Sequence, residues 1–314
     1  MGDKSLNAPV ALFVYNRPDH LERAIGALLK CPEVHESPFY VFCDGPKNSA
    51  ASAAVERTRD IAKRMSPAHA QFVISDVNKG LAASIEDGVR RLCEKYGRVI
   101  VIEDDLVVSP SFLKYMNAAL EKYCHSTKVM QISGYMFPLQ RSLADRRCAL
   151  LPVTTSWGWA TWKRAWQCYD PSARGWEALD RNNGEKIRFN MNGAFDFYAM
   201  LAQQMRGISD SWAIRWYWSV FRNQGLVLYP PASLVENTGF DGSGTHGWRA
   251  SRAGLKIIEA IRLDDVKFPE DEICDAGIYT EIVEYMGSRQ KGTFAGIRAL
   301  IKGYVYSLRT MKRK

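Results

Sequence analysis

The sequence has no run of eighteen or so apolar residues, so no conventional membrane-spanning helix is expected. Its opening residues, Met1-Gly2-Asp3-Lys4-Ser5-Leu6-Asn7, lack the apolar core of a secretory signal. Gly2 with Ser5 is a poor myristoylation match, because the expected Ser or Thr falls one position later. Cysteine is sparse and unpaired in pattern: seven residues, an odd number, with no Cys-x-x-Cys. That argues against a disulfide framework and a zinc cluster, and makes a reducing cytoplasm the expected setting. Acidic residues are missing altogether from 285–314, where eight Lys and Arg lie.

Those eight account for the whole net charge of +8, since the other 34 Lys and Arg match the 34 Asp and Glu. A nucleic-acid partner calls for a basic stripe across the folded body, so none is expected here. The rest of the composition is ordinary, 46% hydrophobic and 24% charged, and 314 residues can bury a sizeable core.

Up to about residue 133, strand and helix patterns alternate. Apolar runs at Pro9–Tyr15, Phe39–Cys43, Gln71–Ser75, Arg98–Ile102 and Val129–Ser133 read as strands. Helical patterns follow Pro18, cover about 50–64, run from Leu81 to Tyr96, and run from about Pro110 to Tyr123. Such alternation predicts an α/β fold with a mostly parallel sheet and helices on both faces. From 134 to 250 the character changes, and all nine tryptophans fall there. A large aromatic core explains many of them, while rings lining a sugar-binding groove are the second reading. At the end, Phe294, Ile297, Leu300, Ile301, Tyr304, Val305, Leu308 and Met311 share one helical arc flanked by basic residues. That arc suits either a docked terminal helix or a peripheral helix on an anionic membrane surface.

The most pointed feature is Val99-Ile100-Val101-Ile102-Glu103-Asp104-Asp105-Leu106. A buried strand delivers three consecutive carboxylates to the edge where open α/β sheets bind ligands. Adjacent acids repel unless a cation intervenes, and a hard divalent ion that also carries phosphates is the usual solution. The other strand ends supply complementary groups: Asn16-Arg17 after the first, Asp44-Gly45-Pro46 after the second, and Asn78-Lys79-Gly80 after the third. These offer two cations for phosphates and a carboxylate able to accept from a base N–H. The first strand is not followed by Gly-x-Gly-x-x-Gly, and neither a P-loop nor a Gly-x-Ser-x-Gly elbow occurs. Phosphoryl or nucleotidyl transfer and glycosyl transfer remain, and the four strand tips favour the last.

The blocks Val10–Leu21, Val41–Lys47, Asn78–Gly88, Val99–Tyr115, Ser156–Trp166 and Asp210–Arg215 resemble the metal-dependent GT-A glycosyltransferases. Within these they resemble the N-acetylglucosaminyltransferase I type and related bacterial surface-polysaccharide enzymes. The resemblance implies a Rossmann-like GT-A domain over 1–265, with a nucleotide-binding half at 1–133 and an acceptor and catalytic half at 134–265. Residues 266–314 are then a helical C-terminal extension with a basic amphipathic end.

It also implies roles. Asp105 would ligate the divalent metal, manganese or else magnesium, while Asp104 and Glu103 would hold the ribose and sugar of the donor. Asp44 would face the uracil, Arg17 would lie near the nucleotide, and the segment Ser156-Trp157-Gly158-Trp159 would close over the donor sugar. Asp210 would be the general base, although the second acid often found beside it is Ser211 here, and Glu236 and Asp241 compete for the role. His246, in the glycine-rich stretch 239–247, is either a second metal ligand or an exposed loop histidine. His20, His35, His69 and His125 show no ligand spacing and read as surface residues. The expected activity is inverting transfer of a hexosyl or N-acetylhexosaminyl group from a UDP-sugar to a glycan or lipid-linked glycan hydroxyl. The alternatives are a nucleotidyltransferase on a similar sheet and a non-catalytic carbohydrate-binding protein.

Overall fold

The strand that carries the acids, β4 (Arg98–Glu103), lies in the interior of an eight-stranded sheet. The computed structural model describes residues 7–139, 147–239 and 266–288. On one side of β4 run β1 (Val10–Val14), β2 (Phe39–Cys43) and β3 (Gln71–Ile74), all parallel, in the order β3-β2-β1-β4. Four parallel strands put four C-terminal tips on one edge, as the sequence pattern requires. Between them run α1 (Pro18–Leu28), α2 (Ser49–Met65) and α3 (Leu81–Tyr96). Pro18 opens α1 where a missing N–H costs nothing, and the Asn48 side chain caps α2 by accepting from Ala51 N at 3.1 Å.

Beyond β4 the sheet changes direction. After the short β5 (Leu106–Val108) and α4 (Phe112–Lys122) come β6 (Val129–Ser133), β7 (Ala149–Leu151) and β8 (Trp159–Trp162). Strand β8 inserts antiparallel between β4 and β6, and β9 (Leu226–Tyr229) then links β6 to β7. The sheet is therefore mostly parallel, with β7 and β8 as its antiparallel members. A separate two-stranded ribbon pairs β5 with β10 (Val235–Asn237). The helices of the second half are short: α5 (Lys163–Trp166), α6 (Ala178–Arg181), α7 (Asn183–Phe189), α8 (Phe197–Met205) and α9 (Trp212–Arg222).

Alternation along the strands divides the core in two. Val10, Leu12, Val14, Ile100 and Ile102 face a layer built with α1 and α4. Ala11, Phe13, Val99 and Val101 face a layer built with α3, α5 and α9. β1 and β4 are thus buried on both faces, which is why each reads as a continuous apolar run.

Most of the described tryptophans belong to the second layer. Trp159 is fully buried and stacks on Trp212 at 4.9 Å, while Trp166 lies 5.1 Å from Trp216 and stacks on Tyr169 at 4.5 Å. This wall docks α9 against the sheet. One buried polar link adds direction: Trp216 Nε1 donates to Gln131 Oε1 at 2.6 Å, and Gln131 Nε2 donates to Thr155 O at 2.7 Å.

Residues 276–288 are helical, and Ile282 within them is fully buried in the same layer. The described part of the C-terminal extension therefore packs on the core. The basic amphipathic arc lies outside the described residues. Among the described residues no helix is long and apolar enough to cross a membrane.

Replacing Gln131 by Leu should strand the Trp216 N–H and the Thr155 carbonyl together, at about 1–3 kcal/mol for each unpaired group. Urea unfolding of Gln131→Leu is expected to show that loss, whereas an unchanged midpoint would mean that the link does not hold α9.

Candidate active site

The tips of the four parallel strands meet at one edge through direct contacts. Arg17, at the entrance to α1, donates from Nη1 to Asp105 Oδ2 at 2.7 Å, with both side chains largely buried. Tyr15 N donates to Asp104 Oδ2 at 3.1 Å. Thr238, just past β10, donates its backbone N–H to Asp105 O at 2.9 Å, and its hydroxyl lies 3.0 Å from the same oxygen. The backbone of Gly239 lies so close to Asp105 Oδ2 and Arg17 Nη1 that any Cβ there would collide with the carboxylate. The ribbon of β5 and β10 thereby closes the chain over the ion pair.

Three acids in a row remain short of positive charge even with Arg17 present. Burial, then the charges of Asp105 and Asp104, push Glu103 well above the usual carboxylate range, and Arg17 only partly opposes this. Burial and Asp105 raise Asp104 to about 7, against Arg17 and the Tyr15 N–H. Among the described residues no group of three or more His, Cys, Asp or Glu side chains is arranged to cage a metal ion. A cage is not what the chemistry demands: magnesium-type ions are commonly held by one or two carboxylates plus the phosphates of a substrate. Hard oxygen donors in a region deficient in positive charge fit such an ion, and Asp105 is the carboxylate placed beside a cationic side chain.

Asp44 is engaged differently. Its Oδ1 accepts from Gly45 N at 2.9 Å and Lys79 N at 2.8 Å; its Oδ2 accepts from Asn78 Nδ2 at 3.0 Å and Gly80 N at 2.9 Å. Four donors use the four lone-pair sites of a carboxylate. Asp44 thus clamps the tip of β2 to the loop entering α3. Arg59 reinforces the clamp by donating from Nη2 to Ser75 O at 2.6 Å and to Asp44 O at 3.3 Å. The clamp sets the conformation of Gly80, whose φ of 81° and ψ of 159° fall in a region essentially reserved for glycine. Lys79 is exposed at the end of this loop.

Asp210 comes to the same loop from the other half of the chain. A Cβ at Gly80 would stand 3.6 Å from Asp210 Oδ2, so the Asp210 carboxylate lies directly against this glycine. The Asp210 side chain is 66% exposed. The structure thus joins Arg17, Glu103, Asp104 and Asp105 at one place on the edge, Asp44 and the Lys79 backbone at another, and Asp210 beside Gly80. Glu236 lies on β10 opposite Val107. Asp241 and His246 lie outside the described residues.

The two tryptophans of the Ser156–Trp159 segment part company. Trp157 is half-buried with its ring 4.6 Å from Tyr135, whereas Trp159 is sealed in the core and presents no face to a ligand. Gly158, at φ 57°, breaks the strand alternation that would have put both rings on one side.

His20 differs from its expectation as a surface residue. It is 6% exposed, with Nδ1 at 2.8 Å from both Thr238 Oγ1 and Arg23 Nη2. An arginine can only donate, so Nδ1 acts as the acceptor in that contact. Its position on the buried face of α1, beneath β10, could not be read from spacing. His35, His69 and His125 are exposed as expected. Sequence reasoning also passed over Thr238, Arg59, Glu86 and Arg215, all of which sit against site residues. Glu86 and Arg215 lie inside the quoted blocks, whereas Arg59 and Thr238 lie outside them.

The sequence matches no protein-family model and no curated protein. Among solved structures the chain is similar to the mannosyltransferase PcManGT from Pyrobaculum calidifontis, solved in complex with GDP-Man and Mn2+. The identity is 15% over 56% of this chain and 46% of that one, with a TM-score of 0.35. It is similar to residues 1–349 of TarS from S. aureus at 9% identity over 74% of this chain and 60% of that one, with a TM-score of 0.43. A protein assigned as a nucleotide-diphospho-sugar transferase from Desulfovibrio desulfuricans G20 is similar at 13% identity, over 78% of this chain and 91% of that one, with a TM-score of 0.39. The chain spans less than two thirds of the first two. At 9–15% identity none of the three gives a residue of this chain a role.

Asp44→Asn keeps the shape of the clamp but turns one acceptor oxygen into a donor facing backbone N–H groups. Stability is expected to fall by about 1–3 kcal/mol. Proteolysis within 76–80 should accelerate; equal cleavage in both proteins would show that the loop is held by other contacts.

Proposed function

We propose that the protein is a metal-dependent, inverting glycosyltransferase. It moves a sugar from a UDP-sugar to a hydroxyl of a glycan or lipid-linked glycan, in bacterial surface-polysaccharide synthesis. One observation carries the reading: the acidic tip of β4, with its Arg17 partner, shares a sheet edge with the loop that faces a second, separate carboxylate, Asp210. An inverting transfer needs those two stations. One binds and neutralises a departing nucleoside diphosphate, and the other accepts the proton of the incoming hydroxyl.

In this reading Asp105 holds a divalent ion, manganese or magnesium. When bound, the ion supplies charge to stabilise the diphosphate leaving group. Arg17 and Lys79 add cationic contacts to the phosphates, and Glu103 and Asp104 contact the ribose and the sugar. Asp44 serves the nucleotide by fixing the Asn78–Gly80 loop, so base contacts at this tip fall to neighbouring backbone. Trp157, with one part still accessible, supplies an apolar wall for the donor sugar. Asp210 accepts the proton as the acceptor oxygen bonds to the anomeric carbon and the bond from that carbon to the diphosphate breaks. The exposure of its carboxylate suits an acceptor arriving from solvent. A basic amphipathic tail at an anionic membrane surface on the cytoplasmic side would hold the enzyme near a lipid-linked acceptor.

Asp210→Asn is expected to leave donor binding intact and lower turnover by about two to four orders of magnitude. Unchanged turnover in that variant would remove Asp210 from the reaction. A thermal-shift panel of nucleotide sugars with and without manganese should show stabilisation by a UDP-sugar that requires the metal. Ligand at about a hundred times its dissociation constant contributes about 2.7 kcal/mol. Asp105→Ala should abolish the metal-dependent part, and a full manganese response in that variant would contradict its assignment.

A further inference from the structure

Arg215 is the fourth residue of α9, just beyond the non-helical Asp210 and Ser211, and its guanidinium turns back toward Asp210. Its Nη2 stands 2.8 Å from Glu86 Oε1 on α3 and 3.5 Å from Asp210 Oδ1, and its Nε donates to Ser211 O at 3.4 Å. The Arg215 side chain is only 12% exposed. Glu86 Oε1 is held in turn by the Tyr169 hydroxyl, which donates at 2.6 Å. Burial and the bond to Glu86 push the Tyr169 phenol up, so it remains a protonated donor at neutral pH. Tyr169 is itself stacked on Trp166, within the wall that docks α9. The whole relay is therefore anchored in the core and ends on the one oxygen of Asp210 that does not face Gly80.

We propose that Arg215, braced by Glu86 and Tyr169, is a positioning residue that holds Asp210 Oδ1 and leaves Oδ2 directed at the loop of Lys79 and Gly80. This rests on the reading of Asp210 as the base. Glu86 has a second task. Its carboxylate, 2.8 Å from Nη2, offsets the charge of the largely buried Arg215 guanidinium. The groups nearest Asp210 are Arg215 of α9, Glu86 of α3 through Arg215, and the Gly80 backbone at the entrance to α3.

The relay predicts a split between turnover and donor binding. Arg215→Gln removes the group that reaches Asp210 Oδ1 and should cut kcat about tenfold with donor KM little changed. Arg215→Lys keeps the cation and should recover part of that loss. Glu86→Gln still accepts from Arg215 and Tyr169 through its amide oxygen, but holds the guanidinium less firmly, and should lower kcat in the same direction by a smaller factor.

A fall in kcat at constant donor KM in Arg215→Gln, partly restored by lysine, supports the relay. Unchanged kcat in Arg215→Gln, or a loss that appears in donor KM instead, overturns it. Glu86→Gln decides the matter by the same split if Arg215→Gln fails to fold. Full activity of Asp210→Asn would remove the reading of Asp210 as the base, whereas an inactive Asp210→Asn beside a fully active Arg215→Gln would remove the relay alone.

Discussion

Three consecutive carboxylates at the end of a buried strand impose the constraint around which this molecule is arranged. β4 must be apolar to lie between β1 and β8, and its tip must then be supplied with positive charge and N–H donors from elsewhere. Arg17 supplies the charge, Tyr15 a backbone donor, and the ribbon of β5 and β10 brings Thr238 and Gly239 to the Asp105 main chain and side chain. The contributors come from two distant stretches, the junction of β1 with α1 and the segment just past β10. Meeting the demand of the acids therefore fixes how the strand tips, α1 and the second half of the chain come together.

A second organising element works from the opposite side. Asp44 and Arg59 lock the loop before α3, and the tryptophan wall locks α9. Between them they set Gly80 and Asp210 face to face. The proposed donor and acceptor stations are thus held by rigid parts, a parallel sheet edge and a stacked aromatic layer, rather than by loops alone. That is the preorganisation an inverting transfer requires, because the reacting oxygen, the anomeric carbon and the base must line up before bonds change.

Much of the first half was legible in the sequence, because strands buried on both faces and helices with one apolar face leave long periodic signals. Phe39–Cys43, Val129–Ser133 and Leu81–Tyr96 have the boundaries that the pattern predicts. The short strands β5, β7, β8, β9 and β10 left too few residues for a period, and their pairing is decided by distant partners. The insertion of β8 beside β4 is such a case. Trp157 and Trp159 looked equivalent, yet with the left-handed backbone at Gly158 between them one is half-buried against Tyr135 and the other is sealed in the core. For Asp44, the residue type pointed to a ligand contact, but only coordinates show its four oxygen lone pairs committed to the protein. Glu86 and Arg215 carried no chemical signature of their own; their significance is their distance from Asp210.

The central claim is that the tips of β1, β2 and β4 and the loop entering α3 form one metal-dependent nucleotide site. Hydrogen-exchange mass spectrometry with UDP and manganese tests it most directly. The account predicts joint protection of peptides covering 15–20, 44–47, 78–81 and 103–106, dependent on the metal. Protection confined to other regions, or protection of these four that ignores manganese, would contradict it.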